Sequence, residues 1–232
     1  MRLGLLRAPP GAVCLLPKGR EPGEVCGRAL DPCCEHTSIC DVGPVRMRAH
    51  KALARVLRRA LIADGAAVDL ERPVPELATT DEAGTVHDAV LDLYVHWPGS
   101  PARLLIDVSI RSHHATRYGA SATRPGAVAA SGEGDKARTY GPTVLPLVFE
   151  AAGRLGAGSR ASLEALLAES RTWGRPRWCG RQGLDGRRLR LHLEAAVVRE
   201  EAGAALLALG CRARAVLGWA AVPAPEPALL SG

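Results

Sequence analysis

The sequence is poor in lysine and aromatic residues, and it has no long apolar run. Only Lys18, Lys51 and Lys136 are lysines, so the net charge of +6 comes almost entirely from arginine. Such a charge permits a polyanionic partner without establishing one. No apolar stretch reaches the length of a bilayer, and Arg7 and Pro9 interrupt the apolar N-terminal residues, which argues against a signal peptide. We therefore expect a soluble intracellular protein with no membrane partner.

The cysteines are concentrated in one segment. Five of the seven lie between positions 14 and 40, which favours a local metal site over disulfides spread across the chain. Four soft ligands form a closed tetrahedral zinc site, which can order a loop too small for a core of its own. The favoured ligands are Cys26, His36 and Cys40, with Cys33 as the fourth and Cys14 and Cys34 as its alternatives. The alternative to a zinc site is a set of reduced thiols without a ligand.

At 232 residues, the chain can form one core of ordinary size and a small appendage. Composition and periodicity predict five regions: a tail over 1–20, a zinc-knuckle-like segment over 21–43, a mixed α/β domain over 44–156, a helical extension over 157–212 and a tail over 213–232. Apolar residues recur with helical spacing over 45–63, and arginines occupy most of the remaining face.

The elements of the α/β domain follow the order α-β-β-β-α-β. The pattern predicts a helix over 45–63, strands over 67–71, 86–96 and 103–110, a helix ending near 140, and a strand over 143–150. A turn at 97–100 should join the second and third strands as a hairpin. Two further helices are predicted over 160–173 and 186–209.

A carboxylate lies in the middle of the most apolar strand. Burying Asp107 is costly unless a metal ion or a basic partner compensates its charge, although a strand-end aspartate that caps a loop is the simpler alternative. Glu71 and Asp88, or Asp92 in its place, lie in or beside neighbouring strands. Three such carboxylates repel one another unless a divalent cation lies between them. A Mg²⁺ site of this kind suits phosphodiester hydrolysis, and a nearby lysine would stabilise the developing charge.

Several motifs follow one another in a recognisable order. They are Cys26-Gly27, Asp31-Pro32, His36, Cys40, Arg46-x-Arg48-x-His50, Asp88, Asp107-Val108-Ser109, Lys136-x3-Tyr140 and the strand 146–150. With the α-β-β-β-α-β order, this series resembles the PD-(D/E)xK restriction-like nuclease superfamily. More narrowly, residues 23–156 look like the zinc knuckle and endonuclease that follow the reverse transcriptase in certain non-LTR retrotransposons.

The resemblance implies a Mg²⁺-dependent DNA endonuclease with a structural zinc ion. Asp88 matches the acid of the first motif, Asp107 the acid of the second, and Glu71 the auxiliary acid near the first strand; these three carboxylates would hold the Mg²⁺. Ser109 stands where the lysine usually follows, and Lys136 fits those branches in which the lysine has moved to the next helix. DNA would be the partner, with RNA as an alternative, and the protein would be nuclear if it acts on genomic DNA.

Two alternatives do not require catalysis. The zinc knuckle and the arginines of helix 45–63 could form a non-catalytic nucleic-acid-binding module, or the chain could be an inactive retrotransposon relic. His113 and His114 could contact phosphate or act as a base near Asp107, although a pair of surface loop histidines is the more common case.

Overall fold

The computed structural model describes residues 7–18, 23–32, 34–40, 45–80, 82–115, 117–119, 124–174 and 185–208. The chain divides into two compact units. One comprises Met1–Arg2 and Pro44–Glu201, and the other comprises Leu3–Gly43 and Ala202–Gly232. Among the described residues, no helix is both long enough and apolar enough to cross a membrane.

Eight helices and strands follow one another in the described chain after a short 3-10 turn at Glu35–Ser38. They are α1 (Val45–Ala63), β1 (Ala67–Thr80), β2 (Val86–His96), β3 (Leu104–Arg111), α2 (Ala127–Tyr140), β4 (Val144–Glu150), α3 (Ala157–Trp173) and α4 (Gly186–Ala208). The predicted mixed α/β class is therefore confirmed, and the predicted bounds of α1 and β2 agree with the structure.

The first strand is longer than predicted. β1 runs through Pro73 and Pro75 to Thr80, well beyond the predicted end at 71. It is an edge strand that pairs only with β2 in a sheet of order β1-β2-β3-β4. Proline is tolerated at such an edge because its missing N–H would face away from the ladder. The predicted end at 71 was wrong for this reason.

The sheet is mixed. β2 and β3 pair antiparallel through the predicted turn, in which Ser100 N donates to Trp97 O at 3.0 Å. β3 and β4 pair parallel, and the connection between two parallel strands requires a crossover, which α2 supplies. The crossover places α2 beside β4 and β3, so residues of α2 can reach β3 side chains.

The core lies between the apolar face of α1 and the sheet. Leu53, Leu57 and Leu61 are each at most 1% exposed and pack in one cluster with residues of β2, β3, β4, α3 and α4. Burying each such side chain stabilises the fold by about 1.5–3 kcal/mol. The C-terminal end of α1 is fixed by buried Asp64, which accepts hydrogen bonds from Trp97 Nε1 at 3.1 Å and Ser170 Oγ at 2.7 Å.

Candidate active site and metal centre

Two carboxylates meet where β2 and β3 separate. The paired residues of these strands run from Val95 opposite Leu104 to Leu93 opposite Ile106, and the next residues in the same register are Asp92 and Asp107. Here a side-chain hydrogen bond replaces the backbone pairing between the two strands, since Asp92 Oδ2 accepts from Val108 N at 2.6 Å. We call this point, defined by Asp92, Asp107 and Val108, the strand fork.

A lysine from α2 reaches the strand fork. Lys136 Nζ forms an ion pair with Asp107 Oδ2, and the Asp107 side chain is only 8% exposed. The same lysine lies over the ring of Tyr140, with Nζ 5.6 Å from the ring centre. The prediction that Asp107 is buried is confirmed, and the basic partner that its burial requires is Lys136, 29 positions further along the chain.

The helix that carries Lys136 is anchored one turn earlier. Glu133 accepts hydrogen bonds from Ser159 N at 2.7 Å and from Gly158 N at 3.1 Å. Both N–H groups belong to the first turn of α3, where the helix itself offers them no acceptor. Ser159 Oγ in turn donates to a Glu133 carboxylate oxygen at 2.6 Å and accepts from Val148 N of β4 at 2.8 Å. This network fixes α2 against β4 and so positions Lys136.

The two carboxyl groups of the strand fork have opposite pKa shifts. Burial raises the pKa of Asp107 to about 6; Lys136 opposes this effect, and the neighbouring Asp92 carboxylate adds to it. Burial also acts to raise the pKa of Asp92, but the hydrogen bonds from His50 and Val108 N outweigh it and hold that pKa below its ordinary value. Paired acids whose pKa values are pushed apart are characteristic of catalytic and cation-binding sites.

The raised pKa of Asp107 predicts a pH-dependent stability. A carboxyl group whose pKa is higher in the folded than in the unfolded chain binds more protons when folded, so stability falls as pH rises from about 4 to about 6. Without Mg²⁺, Asp107→Asn should therefore be more stable than wild type by on the order of 1–3 kcal/mol at about pH 7.5, and by much less at about pH 4. Urea unfolding at both pH values measures this difference.

Asp88→Asn is the matched control for that experiment because Asp88 is an exposed carboxylate on the neighbouring strand. The free energy of unfolding of this variant should follow the wild-type pH profile. An Asp107→Asn variant that also follows this profile would contradict the raised pKa.

The structure does not bring every predicted acid to the strand fork. Asp88 is exposed and lies four residues before Asp92 on β2, about 13 Å away along an extended strand. Asp92, named as the alternative to Asp88, is the residue beside Asp107. Glu71 lies on β1 between the pairs Leu70–Leu93 and Arg72–Leu91, which places it across from Asp92 in register. Its side chain is exposed, and its φ of +50° is uncommon for a residue other than glycine.

Three other residues singled out by the sequence lie along β3 or just after it. Ser109, which stands at the usual lysine position, accepts a hydrogen bond from Arg111 Nε at 3.0 Å. His113 and His114 follow β3 in a loop, with their ring centres 3.7 Å apart.

A separate cluster of cysteines and histidine lies in the unit that contains Leu3–Gly43. Residues 7–18 and 23–32 pair antiparallel, with bridges at Val13–Ala29 and Pro17–Val25. This pairing brings Cys14 close to Cys26. The 3-10 turn Glu35–Ser38 adds His36, whose backbone N–H donates to Asp31 Oδ2 at 3.0 Å.

Four side chains converge in this cluster. The ligand atoms of Cys14, Cys26, His36 and Cys40 all lie within 4.8 Å of one another. Cys14 Sγ is 4.0 Å from Cys40 Sγ, and Cys26 Sγ is 3.3 Å from His36 Nε2. Three sulfur ligands and one imidazole are a donor set typical of structural zinc, so the cluster could hold such an ion.

Burial raises the pKa of the Cys14 thiol to about 12, and the nearby Cys40 and Cys26 add to this effect. Three sulfur ligands crowded together in this way would be stabilised as thiolates by a bound cation. The structure supplies Cys14 as the fourth member, an alternative that the sequence left open. Cys33 lies outside the described residues. Residues 7–18, predicted as part of a tail, form one side of the cluster.

Sequence reasoning did not single out a role for His50. Its Nε2 lies 3.1 Å from Asp92 Oδ1. The signal was present, because His50 falls on the same stripe of α1 as Leu53, Leu57 and Leu61, which faces the sheet.

A scan against models of known protein families finds no match, and a search of curated proteins finds none either.

Proposed function

We propose that this chain is a Mg²⁺-dependent DNA endonuclease of the restriction-like type found in non-LTR retrotransposons. The observation that carries the proposal is the strand fork, where Lys136 meets buried Asp107 beside Asp92. The element order α-β-β-β-α-β and the lysine supplied by the following helix are both consistent with the resemblance described above.

The strand fork fits a divalent cation. Apart from its ion pair with Lys136, buried Asp107 Oδ2 has no hydrogen-bond partner among the described residues, so this oxygen has unused acceptor capacity. Lys136 pairs with Asp107 and His50 with Asp92, and a cation would offset the repulsion that remains between the two adjacent carboxylates. Asp92 and Asp107 would hold the ion, with Asp92 in the role that the sequence assigned to Asp88. Glu71, across from Asp92 on β1, remains the candidate auxiliary acid.

Each residue of the strand fork would have a distinct role in phosphodiester hydrolysis. A bound Mg²⁺ supplies polarisation of the phosphoryl oxygen and an activated water. Asp92 and Asp107 would hold the cation beside the scissile phosphate. Lys136 orients the attacking water and stabilises the charge that develops on the phosphate oxygens. The cluster of Cys14, Cys26, His36 and Cys40 would hold a structural zinc ion.

Plasmid nicking tests the proposal. Purified zinc-loaded protein should convert supercoiled DNA to nicked circles when Mg²⁺ is added and not when it is omitted. Asp107→Ala and Lys136→Ala should both lose this activity while keeping the wild-type circular dichroism spectrum. Unchanged nicking by a folded Asp107→Ala protein would refute the assignment.

One observation favours a second function, which is non-catalytic binding of nucleic acid. α1 contains no acidic residue, and its exposed face is strongly basic. The exposed cations are Arg48, Lys51, Arg55, Arg58 and Arg59. Such a stripe can follow a phosphate backbone without reading its sequence.

Salt dependence measures the contribution of this stripe. Replacing Arg58 and Arg59 together with glutamine should weaken DNA binding and reduce the slope of log K against log salt by about 0.9 for each phosphate that the protein no longer neutralises. Arg187 and Arg188 are exposed on α4 and, replaced by glutamine, provide the control. An equal weakening in both variants would show only a net-charge effect. DNA binding without Mg²⁺-dependent nicking in the wild type would favour the binding module.

A further inference from the structure

We propose that His50 is a positioning residue for Asp92, an inference that rests on the proposed nuclease function. The imidazole Nε2 lies 3.1 Å from Asp92 Oδ1, and the Asp92 side chain is 14% exposed. His50 belongs to α1, whereas Lys136 belongs to α2, so two different helices hold the two acids of the strand fork.

Asp92 is held through both of its oxygens. His50 Nε2–H donates to Oδ1, and Val108 N–H donates to Oδ2 at 2.6 Å. Two donors on different oxygens fix the carboxylate plane, which a single hydrogen bond would leave free to rotate. Each carboxylate oxygen has a second lone pair, so the carboxylate can still bind a cation. The pair of donors therefore orients Asp92 and leaves its coordinating capacity in place.

The surroundings of His50 argue against a purely structural histidine. The positions of α1 that face the sheet around it are apolar, as at Ala49, Leu53 and Leu57. His50 Nδ1 is buried and, within the described residues, has no hydrogen-bond partner. Leaving a buried polar atom unpaired is destabilising. A leucine would remove that cost, so the polar contacts of His50, first with Asp92 and then with the Val108 backbone, are what favour a histidine here.

The hydrogen bond from His50 to Asp92 is of the kind that metal-ligating side chains commonly receive from neighbouring residues. A donor that orients a ligating side chain fixes its geometry, and loss of the donor typically lowers metal affinity or activity by about 10–100-fold. His50→Leu should therefore weaken cation binding by about 10–100-fold. His50→Gln keeps an N–H donor on the side chain and should stay within about threefold of wild type, a difference of less than 1 kcal/mol.

Mn²⁺ titration of the zinc-loaded full chain, followed by electron paramagnetic resonance, tests this role without relying on activity. Mn²⁺ prefers the same oxygen ligands as Mg²⁺. The expected order of affinity is wild type and His50→Gln together, then His50→Leu. If His50→Leu does not fold, His50→Met removes the same donor with a more adaptable side chain. The Mg²⁺ concentration that gives half-maximal nicking should be higher for His50→Leu than for wild type and His50→Gln.

The outcomes separate the two proposals. If His50→Leu, or His50→Met in its place, binds Mn²⁺ as tightly as wild type, the role of His50 is overturned and the nuclease proposal stands. A decrease in His50→Gln as large as that in His50→Leu also overturns it, because the hydrogen bond would then not be the relevant property. A wild-type protein that binds no Mn²⁺ at the strand fork overturns the nuclease proposal and this inference with it.

Discussion

Replacing Asp92 with asparagine is expected to lower Mg²⁺-dependent nicking by about 10³-fold or more, equivalent to about 4 kcal/mol of transition-state stabilisation. The reason is that Asp92 lies beside Asp107 at the strand fork and would supply half of the negative charge that binds the cation. Asparagine keeps the shape of the side chain and its hydrogen bond from Val108 N, but it removes the charge. Initial nicking rates under saturating Mg²⁺ measure the effect.

Asp88→Asn is the matched control, because the two acids lie on one strand and point to the same face. Asp88 is exposed and well separated from Asp107, so its replacement should change the rate by less than about threefold, or about 0.7 kcal/mol. The reverse result, a large decrease for Asp88→Asn and none for Asp92→Asn, would restore the assignment made from the sequence motif.

The second large effect is expected at the cysteine cluster. Cys14→Ser should abolish stoichiometric zinc binding and unfold the segment around residues 7–40, because a structural zinc site contributes about 10–16 kcal/mol to the folding of a small segment. Zinc content after dialysis, measured by mass spectrometry, reports the ion. Limited proteolysis reports the loss of structure.

Cys33→Ser distinguishes the structure-based ligand set from the one predicted by sequence. If Cys14 is the fourth ligand, Cys33→Ser keeps about one zinc per chain and stays resistant to protease. Zinc loss in Cys33→Ser, with Cys14→Ser unaffected, would contradict the cluster of Cys14, Cys26, His36 and Cys40.

The sequence was sufficient to predict much of the core. Apolar residues on both sides of Asp107 predicted a buried strand, and the partial alternation over 86–96 put Ala89, Leu91 and Leu93 on one face of β2, which is buried in the structure. Helical spacing over 45–63 predicted α1 with its observed bounds, and Gly65, with a φ of +98°, follows its last turn. These features depend on local periodicity, which a sequence displays directly.

The site could be predicted only in part, because its residues depend on register and on distant contacts. A period of two places Asp88 and Asp92 on one face, but only the pairing of β2 with β3 decides which of them lies next to Asp107. The partner of Asp107 is Lys136, which a crossover helix brings back to β3. Neither fact is local in sequence.

The cysteine cluster shows the same limit. Cys26, His36 and Cys40 are close in sequence, and their spacing alone was sufficient to group them. Cys14 joins them because two irregular segments pair antiparallel, with Cys14 N donating to Arg28 O at 2.8 Å. No apolar periodicity marks that pairing, so spacing could not distinguish Cys14 from Cys33.

The most direct test is the number of Mn²⁺ ions bound by the zinc-loaded chain, compared with a variant in which Asp92 and Asp107 are both asparagine. A cation site at the strand fork predicts one tightly bound Mn²⁺ per chain in the wild type and none in the double variant, with both proteins equally folded by circular dichroism. Equal Mn²⁺ binding by the two proteins would contradict a cation site at the strand fork.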